Sequence, residues 1–96
     1  MIWASEMLHV EFTAQFRKDR KRMEKRGADM GKLREAILIL AAEEELPPRS
    51  RDHGLTGEWR GSRDLHLEPD WALIYEIRGD VLGLVRTGSH ADLFDK

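Results

Sequence analysis

Two apolar runs near the C-terminus constrain the fold more than any other feature of the chain. Trp71 to Arg78 (WALIYEIR) and Val81 to Thr87 (VLGLVRT) are apolar at both odd and even positions, so each predicts a strand covered on both faces. Only Gly79-Asp80 separates them, which fits a tight hairpin. Just ahead, Arg63 to Glu68 alternates: Leu65 and Leu67 fall on one side, and Asp64, His66 and Glu68 on the other. Pro69-Asp70 supplies a turn, and three consecutive antiparallel strands are expected.

The N-terminal half has a different period. Met7 to Thr13 alternates loosely through Leu8, Val10 and Phe12, predicting a short strand with His9 toward solvent. Thr13 can cap a helix from Ala14 to Arg26 that Gly27 ends, and Met30, Leu33, Ile37 and Leu40 recur at helical spacing. The first helix carries only a thin apolar stripe of Phe12, Phe16 and Met23, so the two helices are expected to pair as a hairpin. Pro47-Pro48 stops the second, which leaves Glu43, Glu44 and Glu45 where the helix dipole disfavours negative charge. Arg49 to Ser62, rich in glycine and polar residues, is expected to be a loop holding His53 and Trp59, and His90 to Phe94 at most one helical turn. This order predicts one α+β domain over residues 1–96. A small antiparallel sheet would carry the helical hairpin on one face and leave the other open.

A chain of 96 residues has room for one core. With no cysteine it holds neither a disulfide framework nor a thiolate metal site, and a reducing, cytoplasmic setting is the default. MIWASEMLHVEF lacks a basic n-region, and the longest apolar run is the seven residues from Ala36 to Ala42, so neither a secretory leader nor a membrane span is expected. The net charge of -2 is unevenly spread: Arg17 to Arg34 carries +6, leaving -8 elsewhere. So dense a basic segment suits a phosphate backbone, with Lys18, Lys21, Arg22 and Lys25 as candidate contacts. On this feature alone a solvated helix face is the better reading.

The C-terminal strands carry polar residues of an unusual kind. His66, Asp70, Arg86 and His90 sit among Trp71, Tyr75 and Phe94, where a plain small sheet would have Val, Ile or Thr. RNA cleaves itself once its 2'-hydroxyl loses a proton and attacks the neighbouring phosphorus, so an enzyme needs a base, an acid and a cation. An arginine closing an apolar strand is the best standalone signal, because its fork matches phosphate oxygens. Its plain alternative is a salt bridge to Glu68, Glu76 or Asp92. Asp70 is by default a turn residue, His66 a solvent-facing strand residue, and His53 and His90 surface histidines. No metal is expected, since His53, His66, Asp70 and His90 include no short paired ligand spacing.

Two segments, RDHGLTGEWRGSRDLHLEPDWALIYEI and LVRTGSHADLF, closely resemble the RelE/ParE toxin superfamily and, within it, the YafQ-type mRNA interferases. FRKDRKR from Phe16 and KLREAI from Lys32 extend the likeness over nearly the whole chain, with Gly54 standing where relatives often have proline. The resemblance implies the toxin of a bacterial toxin-antitoxin pair, a ribosome-dependent endoribonuclease that cuts mRNA in the A site without a cofactor. It carries the functional roles onto His53, His66, Asp70, Trp71, Arg86, His90 and Phe94. His90 would protonate the leaving 5'-oxygen, Asp70 or His66 would act as base, and Trp71 and Phe94 would stack on bases or fix the site. The partners it implies are a cognate antitoxin, mRNA, the ribosome with its RNA, and operator DNA through the antitoxin, with no membrane. The other class to weigh is a non-catalytic, gyrase-poisoning relative or a plain RNA-binding module, neither of which needs the histidine set.

Overall fold

The computed structural model describes residues 7–94; the segment expected to carry no leader begins outside them. The elements are β1 (His9–Phe12), α1 (Ala14–Lys25), α2 (Met30–Ala41), β2 (His53–Gly54), β3 (Arg63–Glu68), β4 (Trp71–Arg78), β5 (Val81–Gly88) and α3 (His90–Phe94). Single 3-10 turns lie at Pro48–Ser50 and Gly57–Trp59. The α+β architecture and the bounds of β3 and β4 agree with the sequence pattern. Gly79, at φ +61, makes the β4–β5 hairpin in a backbone region that other residues rarely enter.

Three features differ from expectation. The sheet has five strands in the order β1-β5-β4-β3-β2, and β1 lies parallel to β5, so the sheet is mixed rather than antiparallel throughout. β1 runs straight into α1, which packs against β5, and that crossover sets its place where no hairpin could. Second, α2 ends at Ala41, and Glu43 takes φ +56, so the helix stops well before Pro47 and the three glutamates lie beyond its last turn. Third, the expected loop contains the short edge strand β2, where His53 pairs with Asp64.

Residue parity divides the sheet. Leu65, Trp71, Leu73, Tyr75, Leu82 and Leu84 pack with Phe16, Met23, Leu33, Ala36 and Leu40 into the main core beneath the helices. Each large side chain buried there contributes roughly 1.5–3 kcal/mol. Ala72 and Ile74 point the other way and meet Leu93 and the partly buried Leu55, Trp59, Val85 and Phe94. The second face is therefore open only in part. Among the described residues, no helix is long and apolar enough to cross a membrane.

Two carboxylates tie α1 to the rest of the fold, one to the sheet and one to α3. Asp19, 0 % exposed, accepts Arg86 Nε at 2.7 Å and Nη2 at 3.2 Å, Arg22 Nη2 and Gln15 Nε2 at 3.1 Å each, and the Thr87 backbone N–H at 3.2 Å. Burial alone would raise its pKa, but the bonds from Arg86, Gln15 and Thr87 outweigh that and hold the carboxyl below its ordinary value. Asp92 accepts Arg26 Nη1 at 2.7 Å and the Ser89 N–H at 2.9 Å, while its own N–H donates to Ser89 Oγ at 3.1 Å. That reciprocal capping box starts α3, and Arg26 holds the Asp92 carboxyl well below the usual carboxylate range. Gly88 permits the approach, because a Cβ there would meet Asp92 Cβ at 2.9 Å.

Both carboxyls are depressed in the folded state, so the stability they add is present above the unfolded carboxylate range and is lost as pH falls through the folded values. Asp19→Ala should cost about 3 kcal/mol in chemical denaturation, the low end for a broken buried pair because Arg86 keeps some access to water. The variant should also lose stability less steeply on acidification. A stability and acid profile equal to the parent's would show that Asp19 does not hold the fold.

Candidate active site

Three elements bring three imidazoles into a row. The pairing of β2 with β3 places His53 beside the strand, His66 stands on the face of β3 opposite Leu65, and His90 opens α3. Ring centroids lie 6.2 Å apart for His53 and His66 and 5.3 Å apart for His66 and His90, with both pairs stacked. Phe94 continues the row 5.9 Å from His90, and Trp59 meets Phe94 edge-on at 6.0 Å. Trp59, expected only as a residue of the Arg49–Ser62 loop, thus forms part of an aromatic wall at one end.

Local hydrogen bonds fix which edge His53 and His90 present. His53 Nδ1 lies 2.9 Å from the Arg51 carbonyl oxygen, which can only accept, so Nδ1 carries the hydrogen and Nε2 is free in the neutral ring. The same loop is pinned by Asp52, which accepts Arg63 Nη2 and the Tyr75 hydroxyl. Asp70, in the β3–β4 turn, accepts both the His90 backbone N–H at 3.1 Å and His90 Nδ1 at 3.0 Å through one oxygen. Those two bonds lower the Asp70 pKa, so the carboxylate stays ionised at neutral pH. Nε2 becomes the working edge of His90.

Asp64 is the residue the sequence reading passed over. It is 3 % exposed, with Oδ2 3.8 Å from His53 Nε2, and it supplies the opposite charge whenever that ring is protonated. Among the described residues, Asp64 Oδ1 and His66 Nδ1 are both buried without a hydrogen-bond partner. Ligand atoms of Asp64, His66 and His90 lie within 4.8 Å of one another, so this trio could hold a metal ion, contrary to the expectation drawn from spacing. Spacing missed it because the ligands converge from β3 and α3. The available signal was parity, since Asp64 and His66 share one side of a single alternating strand.

Arg86 follows a bulge: Ile74 pairs with Arg86 and Tyr75 with Leu84, leaving Val85 as the extra residue. Its salt bridge runs to Asp19, which was not among the acids considered from sequence. Asp19 grips Nε and Nη2, and among the described residues Nη1 has no protein partner. With 22 % of the side chain exposed, the guanidinium is anchored along one edge and can present the other.

Two expected RNA contacts need correction. Trp71 is 2 % exposed inside the main core, with Nε1 donating to Thr87 Oγ1 at 2.9 Å, so it cannot stack on a base; of its two expected roles only fixing the site remains. Arg22 is turned inward to Asp19 and Asp92, at 3.1 and 3.8 Å. Lys18, Lys21 and Lys25 are exposed and, among the described residues, form no ion pair.

The family model described as "Bacterial toxin of type II toxin-antitoxin system, YafQ" matches residues 8–95. The chain is 44% identical over 86 residues to the mRNA interferase toxin YafQ of Escherichia coli, covering 88% of this chain and 94% of that one. It superposes on the E. coli DinJ-YafQ toxin-antitoxin complex with a TM-score of 0.85 at 43% identity, over 92% of this chain and 98% of the matched chain. It superposes on a metal-bound toxin from Helicobacter pylori at 0.86 and 41%, over 92% and 100%. With the family model spanning residues 8–95 and a relative 44% identical over most of both chains, the chain belongs to the YafQ family of type II toxin-antitoxin toxins.

Proposed function

We propose that this chain is a ribosome-dependent, metal-independent endoribonuclease that cuts mRNA in the A site and is neutralised by a cognate antitoxin in the cytoplasm. The observation that carries the reading is the stacked His66–His90 pair, 5.3 Å apart, with His90 oriented by Asp70. His66 takes the proton from the 2'-hydroxyl, the 2'-oxygen attacks phosphorus, and the bond to the 5'-oxygen breaks as His90 Nε2 returns a proton to it. The products are a 2',3'-cyclic phosphate and a 5'-hydroxyl. Each proton-transfer group contributes about 10²- to 10⁴-fold.

The surrounding residues have supporting roles. Asp70, already committed to His90, acts as a positioning residue, which favours His66 as the base. Arg86 Nη1 neutralises the charge that builds on the phosphoryl oxygens, and His53, backed by Asp64, binds the same phosphate. Phe94 with Trp59 offers a stacking surface, and the exposed Lys18, Lys21 and Lys25 face ribosomal RNA. The relatives named above suggest the substrate and the partner class.

A groove of about 410 Å³ between β1 and the helices suits the antitoxin. Phe12 (54 % exposed), Val10, Phe16 and Ile37 line it, and Arg17, Arg20 and Lys21 rim it, so an acidic amphipathic segment fits. Operator DNA would be reached only through that partner.

His90→Ala should lower mRNA cleavage on programmed ribosomes by at least about 10²-fold while leaving ribosome binding intact, read by primer extension and co-sedimentation. Undiminished cutting would remove His90 from the mechanism, and cutting by no variant, parent included, would favour the non-catalytic alternative. Cleavage should persist in EDTA and fall when Zn²⁺ or Cu²⁺ is added, because a metal on Asp64, His66 and His90 would occupy the lone pairs that proton transfer needs. Activity abolished by EDTA and restored by a metal would sink the metal-independent route. Reversing Lys18, Lys21 and Lys25 to glutamate should weaken ribosome association, most steeply at low salt. Unaltered affinity would make that helix face merely solvated.

A further inference from the structure

Beside His66, between α2, the 3-10 turn at Pro48–Ser50 and the β3–β4 turn, lies a cavity of about 590 Å³, within the range of about 300–1,000 Å³ typical of small-ligand sites. Ile39, Leu46 and Leu67 give it apolar walls. Lys32 and Glu68 on the same lining neutralise each other at 2.8 Å, whereas Arg49 and Arg51 form no ion pair among the described residues. With Glu35 as the only other charge, the lining is net positive.

Arg51 is the residue that makes the cavity informative. Its backbone is left-handed, at φ +48 and ψ 44, a conformation that residues bearing a Cβ adopt at a cost. The turn itself has work to do: the Arg51 N–H donates to the Pro48 carbonyl at 3.1 Å, and the Arg51 carbonyl accepts His53 Nδ1 at 2.9 Å. Glycine would serve both bonds without strain. A guanidinium at this position therefore adds something that the backbone does not require.

We infer that this cavity is the subsite for the nucleotide on the 5' side of the cut, with its base on the apolar walls and the phosphate preceding it on Arg51. The inference rests on the proposed nuclease mechanism, in which His66 takes the proton from that nucleotide's 2'-hydroxyl. The polarity follows from the lining. His66 borders the cavity, whereas His90, Phe94 and Trp59, at the other end of the row, do not. The departing nucleotide belongs with the aromatic wall and the attacking one with the cavity.

The test is mRNA cleavage on programmed ribosomes by Arg51→Gly, a substitution that the turn favours. Its kcat/KM should fall about tenfold or more, mainly through KM, and its dependence on log salt should become shallower by about 0.7, the share of one single-strand phosphate contact. Melting temperature and affinity for vacant ribosomes should stay at parent values. Arg51→Asn, which also tolerates the left-handed region, should show the same loss and so separate the missing cation from added chain flexibility. Parent-like cleavage by Arg51→Gly, or recovery in Arg51→Asn, would overturn the subsite. A matching loss of affinity for vacant ribosomes would assign the cation to ribosomal RNA and overturn it equally. A parent protein that cuts nothing would instead count against the nuclease reading itself.

Discussion

A carboxylate placed where water cannot reach it must find its donors within the protein, and Asp19 finds them on two elements at once. From β5 it takes the Arg86 guanidinium and the Thr87 N–H, and from its own helix Arg22 and Gln15. An unpaired buried charge would cost several kcal/mol, so α1 cannot slide or rotate over β5 without breaking this set. The linkage continues inward. Thr87 Oγ1 donates to the Ala72 carbonyl at 2.8 Å and accepts from Trp71 Nε1, which joins the helix contact to the start of β4. The position of Arg86 is thus set by Asp19 and, through Thr87, by the core packing.

The site is assembled on the margin of that rigid centre. His53 comes from a short edge strand, His90 from the first residue of a five-residue helix, and Asp70 from a turn, none of which would hold a geometry alone. Each is fixed by a carboxylate reaching from elsewhere: Asp52 to Arg63 and Tyr75, Asp70 to His90, and Asp92 to Arg26 at the end of α1. Such placement leaves some polar groups poorly served: of the three buried side-chain atoms without a hydrogen-bond partner among the described residues, Asp64 Oδ1 and His66 Nδ1 lie here and Arg22 Nε lies on α1. Buried polar atoms without partners destabilise a fold, and they concentrate where function rather than stability decides the residue.

Legibility in the sequence followed the range of the interactions. Thr13 capping α1, Gly27 ending it, Gly79-Asp80 turning the hairpin and the alternation that sends His66 away from Leu65 are local, and each was readable from a few neighbouring residues. The parallel pairing of β1 with β5 has no local signature, because strand direction there depends on a crossover through both helices. Trp71 was ambiguous for a related reason: in a strand apolar on both sides, parity does not say which face the helices cover. The meeting of Asp19 with Arg86 spans 67 residues of sequence, and neither it nor the bulge at Val85 leaves a period to detect. The histidine row was visible only as a set of residue types and as a family resemblance.

The same distinction between local and distant partners explains how a chain of net charge -2 can present a cationic surface. The basic run along α1 divides by chemistry. Arg22 and Arg26 turn toward Asp19 and Asp92, where a planar fork can satisfy two oxygens and weak hydration lowers the cost of partial burial. Lys18, Lys21 and Lys25, compact and strongly hydrated, remain outside. The arginines spend their charge on architecture and pin α3, so removing them would disturb the position of His90 and could not report on RNA contact. Among the described residues the lysines, like Arg17 beside Phe12, form no ion pair, and the electrostatic reach of the helix is theirs, weaker than the composition of the segment suggests.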